Sequence, residues 1–443
     1  MQVSDTIAAI ATAPGRSGIG IVRISGPKVR HITSQIVARS VAARRAVWAQ
    51  FVDGAGVAMD FGIALFFPAP GSYTGEDVLE LQGHGGPVVL GMLLERCVSL
   101  GARVAEPGEF TRRAFLNGRM DLAQAEAVID LIDAATSSAA RSAMRSVSGE
   151  FSTLIQTLIS ELRDARVLVE ATLDFPEEDV DEVHRDDLRA RLSKLGGTLD
   201  NLLQTAQQGS LLREGVHIVL AGLPNAGKSS LLNRLAGQEL AIVTEIPGTT
   251  RDTIREAINL GGLPAYIIDT AGLRVPLDPV EAIGVERTRA AMEKADLVLW
   301  VVDASAGDPV EPEERLPEDI PKVRVMNKID LIARSAAVEQ HEAETVVWLS
   351  AKTGAGIDAL RETLQQQLGW KGTAEGLFLA RARHLEALRA ARECLVRACD
   401  HLAALEFLAE ELRLANDALG AIVGRTTPDE LLGEIFSRFC IGK

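Results

Sequence analysis

The spacing of hydrophobic positions changes along the chain, and the changes divide it. Up to about residue 118, apolar residues come in short β-rich runs: Thr6-Ile-Ala-Ala-Ile10, Ile19-Gly-Ile-Val-Arg-Ile-Ser25, Gly62-Ile-Ala-Leu-Phe-Phe67 and Val78-Leu-Glu-Leu81. Polar turn clusters separate them, and Pro87 to Leu100 has helical spacing. This region reads as α/β. From Asp121 the pattern is helical. Met144, Val147, Phe151, Leu154, Ile155, Leu158, Ile159 and Leu162 recur at steps of three and four, which predicts one continuous apolar stripe with Gly149 as its weak point. The acidic stretch Phe175 to Asp181 reads as a solvated loop, and a second helix is expected from about Asp186 to Leu212.

A different pattern occupies about 215 to 370. Its apolar runs each end in a polar motif, as strands do when their carboxyl ends carry a site. After it, Leu385, Leu388, Leu395, Leu402, Leu405 and Leu412 form a leucine-rich helical face, and a last short helix starts near Thr427-Pro428-Asp429. The helical stretches on either side each need a partner for their apolar stripe. The economical solution packs them on each other, so that one helical domain carries the middle region as an insertion. The expected divisions are 1–118 (α/β), 119–214 (helical, first part), 215–370 (inserted α/β) and 371–443 (helical, second part).

The inserted region carries the chemistry. Gly222-Leu-Pro-Asn-Ala-Gly-Lys-Ser229 follows the apolar run His217-Ile-Val-Leu-Ala221 and leads into Ser230-Leu-Leu-Asn-Arg-Leu235. That is the strand, glycine-rich turn and helix of a phosphate-binding loop. Gly222 and Gly227 let the backbone curl so that N–H groups across Asn225, Ala226, Gly227, Lys228, Ser229 and Ser230 face anionic oxygens. Lys228 adds an ammonium for the outer phosphates, the Ser229 hydroxyl can ligate Mg²⁺, and the helix N-terminus adds partial positive charge.

Three further motifs follow in order. Asp269, Thr270, Ala271 and Gly272 close the run Ala265-Tyr-Ile-Ile268; a carboxylate there can hold Mg²⁺ through water, and the Gly272 N–H can meet the terminal phosphate. Asn327, Lys328 and Asp330 close the run Val323-Arg-Val-Met326. The Asp330 carboxylate suits the ring N–H and exocyclic amine of guanine. Adenine has no such donor pair, so the motif selects GTP over ATP. Ser350, Ala351 and Lys352 follow Val346-Val-Trp-Leu349 and resemble the guanine-supporting loop of GTPases.

The hydrolytic machinery departs from the Ras pattern. There the residue after Asp-x-x-Gly is a Gln that orients the attacking water; here it is Leu273, which cannot hold one. Asn225 could bring its amide oxygen to a monovalent cation beside the phosphates, acting where an arginine finger's charge would. Glu281 could position the water directly or through a second water. The plainer readings make Asn225 a turn residue and Glu281 a helix N-terminal acid.

Composition narrows the picture. The chain has 443 residues, of which 47% are hydrophobic and 24% charged, so it can build real cores over about three domains. A net charge of −15 excludes a uniformly basic nucleic-acid coat. Four scattered cysteines (Cys97, Cys394, Cys399 and Cys440) do not make a disulfide scaffold or a zinc site, and they suit a reducing cytosol. No signal peptide and no membrane span is expected.

At this point a resemblance adds to the reading. Ala13-Pro-Gly-Arg16, Gly20-Ile-Val-Arg-Ile-Ser-Gly26, Ser72-Tyr-Thr-Gly-Glu-Asp77, Glu80-Leu-Gln-Gly-His-Gly-Gly86, Pro107-Gly-Glu-Phe110, Asp121-Leu-Ala-Gln-Ala-Glu126, Gly248-Thr-Thr-Arg-Asp252 and Cys440-Ile-Gly-Lys443 make the whole chain similar to the MnmE (TrmE) family of bacterial tRNA-modification GTPases. The resemblance implies three parts: an N-terminal folate-binding domain similar to aminomethyltransferase-type domains, a discontinuous helical domain, and an inserted Ras-like P-loop GTPase domain. It also implies a cytoplasmic homodimer formed through the N-terminal domains. The GTPase domains would pair transiently with GTP and K⁺, which activates hydrolysis. With the FAD-dependent partner MnmG, the family modifies C5 of the tRNA wobble uridine to aminomethyl or carboxymethylaminomethyl groups.

Residue by residue, the resemblance assigns K⁺ to Asn225, Thr244, Ile246 and Thr249, and Mg²⁺ to Ser229 and Thr250. Glu245, Pro247 and Gly248 complete that loop of the GTP site; Pro247 removes an N–H but leaves the carbonyl ligands in place. Glu281 matches the family's water-orienting glutamate. Arg23, Glu80, Arg119 and Lys443 match the positions that contact a reduced folate (formyl- or methylene-tetrahydrofolate). Glu80 can accept the adjacent N–H donors of a pteridine, and basic groups suit the glutamate tail. Arg119 stands where a lysine is expected, and the two are not equivalent. Lys443 requires a C-terminal tail that reaches another domain, and Cys440 reads as structural. Two rivals remain in view: a ribosome-assembly switch GTPase, and a free-standing one-carbon transferase with a regulatory GTPase. The N-terminal motifs and the Cys440 to Lys443 tail argue against the first.

Overall fold

A computed structural model describes residues 5–174, 182–237, 254–269, 295–306, 320–341, 344–372, 376–425 and 428–442. The first stretch forms β1 (Ile7–Ile10), β2 (Ser17–Ser25), α1 (Val29–Ile36), β3 (Val47–Val52), β4 (Ala58–Phe67), β5 (Val78–Gly85), α2 (Pro87–Ser99), β6 (Arg103–Val104), α3 (Glu109–Leu116) and α4 (Leu122–Ile132). Then come α5 (Ser137–Val147), α6 (Glu150–Asp174), α7 (Glu182–Glu214), β7 (Val216–Ala221) and α8 (Lys228–Ala236). The remainder forms β8 (Ile254–Leu260), β9 (Leu263–Asp269), β10 (Leu297–Asp303), β11 (Lys322–Asn327), β12 (Ala337–Gln340), β13 (Thr345–Trp348), α9 (Ile357–Gln367), α10 (Ala382–Asp400), α11 (Leu405–Val423) and α12 (Asp429–Ser437). Among the described residues, no helix is long and apolar enough to cross a membrane.

Contacts divide the chain into two units: residues 1–129, 152–159 and 416–443 form one, and 130–151 and 160–415 the other. The first is built on a six-stranded sheet in the order β3-β4-β5-β2-β1-β6. Alternation along its strands sends Val22, Ile24, Phe51, Leu79 and Leu81 to one face, where they pack with Ile32 and Ile36 of α1 and Leu93 and Cys97 of α2. The approach is close: a Cβ at Gly20 would lie 2.5 Å from a Leu90 methyl, so glycine is what lets α2 settle on β2. The other strand parity carries Arg23, Glu80 and Gln82 on the opposite face, with Arg23 directly opposite Glu80 in the β2–β5 register. The C-terminal segment joins this unit. Leu432, Ile435, Phe436 and Phe439 pack with Leu122 and Ala125, and beyond them Ile441 bridges Pro107. A Cβ at Gly442 would sit 2.4 Å from the Ile10 carbonyl.

The second unit holds a seven-stranded sheet ordered β12-β13-β11-β10-β7-β9-β8. Strands β13, β11, β10, β7 and β9 run parallel, and β8 and β12 cover the edges antiparallel. Residues 297–302 of β10 are buried without interruption, as a central parallel strand covered on both faces must be. The expected packing of helices from the two sides of the insertion is present. Arg392 of α10 grips Asp200 of α7 with two hydrogen bonds of 2.7 and 3.0 Å. Asp130 accepts from Arg213 at the end of α7 (2.9 Å) and from Arg381 at the start of α10 (2.8 Å), so one carboxylate ties together the chain's entry to and return from the sheet. Thr136 caps α5 and donates to the Gly262 carbonyl over 2.9 Å. The fold is thus an α/β sheet, a helical region discontinuous in sequence, and an inserted parallel sheet with a phosphate-type loop.

Two expectations need correction. The stripe from Met144 to Leu162 is not one helix. Gly149 has φ 88°, and the chain breaks there between α5 and α6. Met144, before the break, is exposed (51%); within α6 itself Leu154 (46%) falls at the edge of the face that buries Phe151 and Ile155. The leucine face after the insertion also belongs to two helices, α10 and α11, separated at His401 to Ala404. The apolar spacing predicts neither strand β3 nor helix α1.

Candidate functional site

The loop between β7 and α8 is shaped by three left-handed residues: Gly222 (φ 141°), Asn225 (φ 64°) and Gly227 (φ 95°). A Cβ at Gly222 would lie 2.2 Å from the Val301 carbonyl, so the loop leaves β7 flush against β10. A Cβ at Gly227 would lie 2.2 Å from Nδ2 of Asn327. Asn tolerates the left-handed conformation better than most residues, which suits Asn225 to its place. Lys228 opens α8 and turns its ammonium back onto the carbonyls of Gly222 and Leu223. Ser229 and Ser230 stand exposed in the first turn of α8, while Ala226 is buried beneath the loop.

Asn327 is the hub. It is buried at the end of β11, and its Nδ2 donates to the Ala226 carbonyl over 2.9 Å. Its Oδ1 accepts from the backbone of Lys328 (2.8 Å) and of Ala351 (3.0 Å). Phosphate loop, strand end and base-supporting loop are therefore held by one side chain. Ser350, fully buried, donates to the Asp330 carboxylate over 2.6 Å and so fixes the group expected to read guanine. Ala351 and Lys352 are held from below: Arg234 of α8 donates to their carbonyls over 3.2 and 2.6 Å.

The structure brings Asn225 to Ser230, Asn327 to Asp330 and Ser350 to Lys352 together at the carboxyl edge of one parallel sheet. Asp269 closes β9, with its side chain outside the described residues. Thr244, Glu245, Ile246, Pro247, Gly248, Thr249, Thr250, Thr270, Ala271, Gly272, Leu273, Glu281 and Lys443 also lie outside the described residues. Two residues at the site were missed by sequence reasoning. One is Arg234. The other is Asp303, which ends β10 and receives the Lys328 ammonium over 2.6 Å. Burial works to raise the Asp303 pKa, but hydrogen bonds from Lys328 and Ser305 hold it below the usual carboxylate value. An acidic residue closing an apolar run, as Asp303 closes Leu297-Val-Leu-Trp-Val-Val302, was the available signal.

In the N-terminal unit, Arg23 donates to Oε1 of Glu80 through Nε (3.0 Å) and Nη2 (2.9 Å). Its guanidinium lies 5.5 Å from the Tyr73 ring and 5.8 Å from that of Phe110. Gln82 reaches Oε2 of Glu80 at 3.5 Å, which leaves that oxygen with acceptor capacity. Arg119 is exposed, and its stem passes beside Gly75. Beneath this surface Arg113 is buried among Asp5 (2.7 Å), Glu109 (2.9 Å) and Glu76 (3.2 Å). Glu76 also accepts from Ser25 over 2.6 Å, so the cluster pins the turn of residues 72–77 to the end of β2. Cys440 is exposed, and its carbonyl accepts the Gly108 N–H.

A parallel sheet that gathers a phosphate loop, an Asn-Lys-x-Asp strand end and a Ser-Ala-Lys loop at one edge defines a P-loop protein of the GTPase class. Comparison with known proteins takes this further. Residues 6–119 match the family described as GTP-binding protein TrmE N-terminus, and residues 122–440 match the MnmE helical domain. The tRNA modification GTPase MnmE of Ralstonia nicotianae is 55% identical over 456 residues, covering 99% of this chain and 96% of that protein. Those of Laribacter hongkongensis and Nitrosomonas europaea are 55% and 54% identical and cover 99% and 100% of their own lengths. Among solved structures, Era of Aquifex aeolicus overlaps 41% of this chain and 67% of its own at 26% identity, with a TM-score of 0.26 that is too low to bear on fold or function. The chain belongs to the MnmE (TrmE) family.

Proposed function

We propose that this protein is a K⁺-stimulated GTP hydrolase that, with an FAD-dependent partner of the MnmG type, modifies C5 of the tRNA wobble uridine to aminomethyl or carboxymethylaminomethyl groups. The observation that carries the nucleotide reading is the Asn327 side chain. It joins Ala226 of the phosphate loop to Ala351 of the base-supporting loop, beside an Asp330 held by Ser350. The tRNA reading rests on family membership across the whole chain.

Two described residues, Ser229 and Asn225, support the ion assignment. Ser229 offers an exposed hydroxyl at the start of α8 for Mg²⁺, with Thr250 as the second protein ligand. Asn225, held left-handed at the loop's exposed rim, suits K⁺ together with Thr244, Ile246 and Thr249. A bound cation supplies charge against the phosphates, and Glu281 orients the water. A reduced folate would lie along Arg23 and Glu80, with Arg119 and Lys443 for its tail; the free capacity of Glu80 Oε2 and the tail's approach through Gly442 favour that assignment. Trp48 and Phe61 stand exposed on neighbouring strands and on the same sheet face as Glu80, as a homodimer through the N-terminal domain would use them. Residues 1–118, 119–214, 215–370 and 371–443 are taken as the N-terminal domain, the two helical parts and the GTPase domain between them, in a cytoplasmic protein.

The test is GTP hydrolysis in K⁺ and in Na⁺ at equal ionic strength, with equilibrium binding of 5-formyltetrahydrofolate alongside. Much faster turnover in K⁺, with folate bound, supports the reading. Equal rates remove the cation's role, and absent folate binding favours an assembly GTPase.

A further inference from the structure

We propose that Asp303 is a positioning residue of the nucleotide site, drawing the Lys328 ammonium aside so that the lysine's methylene stem, and not its charge, lines the slot for the purine ring. The inference rests on the GTP reading above and deepens it.

Strands β10 and β11 run parallel with Asp303 directly beside Asn327. The two strand ends are locked together where the Ala304 N–H meets the Asn327 carbonyl at 2.9 Å. Asp303 therefore stands level with the Asn327 to Asp330 motif without belonging to it. Its two oxygens have separate tasks. Oδ1 accepts the Ser305 N–H (2.9 Å) and hydroxyl (2.6 Å), which fix the carboxylate in its turn. Oδ2 is turned to Lys328 Nζ at 2.6 Å. Lys328 itself is left-handed, with φ 68°, between the buried Asn327 and the acceptor Asp330.

The pair's exposure argues against a role in stability alone. The side chains are 30% and 23% exposed, and an ion pair so placed contributes little to folding. Its effect is on direction. A free ammonium at Lys328 would keep a hydration shell beside the base, because lysine's charge is compact and strongly hydrated. Anchored to Asp303, the same side chain presents methylenes to an aromatic ring.

A double-mutant cycle in the full-length protein tests this, read as GDP affinity and as the steady-state constants for GTP. Wild-type GDP binding is measured first; its absence would defeat the GTP reading itself and this inference with it. Asp303→Asn is expected to weaken GDP and raise KM for GTP about tenfold, with kcat at saturation within about twofold. Lys328→Met keeps the stem and removes the charge, so in that background Asp303→Asn should change nothing further. Unchanged affinity in Asp303→Asn overturns the proposal. So does a loss of the same size in the Lys328→Met background, which would mean a general structural effect. Should Asp303→Asn fail to fold, Ser305→Ala loosens the same carboxylate. It should give a smaller loss that Lys328→Met abolishes; a loss that persists there overturns the proposal equally.

Discussion

The Asn327 amide donates to the Ala226 carbonyl over 2.9 Å, joining two loops that lie 101 residues apart in sequence. Replacing Asn327 by Ala strands that buried carbonyl and the Ala351 N–H. Each unsatisfied group costs about 1–3 kcal/mol. Part of that falls on the bound state, because the loops must be aligned to hold nucleotide. Asn327→Ala should therefore weaken GDP binding by about one to two orders of magnitude. Titration with a fluorescent GDP analogue checks this, and wild-type affinity would contradict the hub role.

Base choice should follow Asp330. Its carboxylate is fixed by Ser350 and stays an acceptor. Asp330→Asn turns an acceptor into a donor, so preference should move from GTP toward xanthosine triphosphate, which carries an oxygen where guanine has its amine. Competition between the two triphosphates measures it. Ser350→Ala should weaken GTP binding without changing the preference.

Arg113 is expected to be a keystone of the N-terminal unit. It is buried against Asp5, Glu76 and Glu109; with Arg103 still pairing Asp5 and Glu109, its loss falls short of the about 3–5 kcal/mol of a fully stranded buried charge and comes nearer to about 2 kcal/mol. Arg113→Met should lower stability by that smaller amount in urea unfolding followed by a probe in this unit.

The same cluster sets an acid limit. Burial works to raise the Glu109 pKa, but bonds from Arg103, the Glu106 N–H and Arg113 hold it below the ordinary glutamate value. A carboxylate depressed on folding stabilises above its unfolded pKa, and that contribution is lost as pH falls through the folded one. Stability of the unit should hold near neutrality and decline below the usual carboxylate range. The decline should be shallower in Arg113→Met, since less stabilisation remains to lose.

The cysteines should separate by reactivity. Burial pushes the Cys97 thiol up to about 12, and burial also raises Cys394 and Cys399. Cys440 is exposed. Timed alkylation with mass-spectrometric mapping should find Cys440 modified first and Cys97 last, because the thiolate is the attacking species.

Much of the fold was legible because local rules governed it. The apolar runs before Gly222, Asp269, Asn327 and Ser350 are inner parallel strands, which read as near-continuous hydrophobic runs because both faces are covered. What stayed hidden depends on neighbours that sequence spacing does not reveal. Asp303 matters through strand pairing with Asn327, and Arg234 through α8 passing under Ala351. Sequence alone presents Arg23 and Glu80 as two separate contacts for a ligand; their mutual bond appears only once β2 and β5 align. Gly149 is a weak point of the helical pattern, but periodicity does not tell a tolerated glycine from a left-handed one.

The central claim is that GTP hydrolysis by this chain serves modification of the wobble uridine. Nucleoside mass spectrometry of bulk tRNA tests it most directly, in cells lacking the gene and in cells complemented with the intact gene or with Asp269→Ala. The account predicts that C5-substituted wobble uridines disappear on deletion, return with the intact gene, and do not return with Asp269→Ala. Unchanged nucleosides on deletion would contradict it.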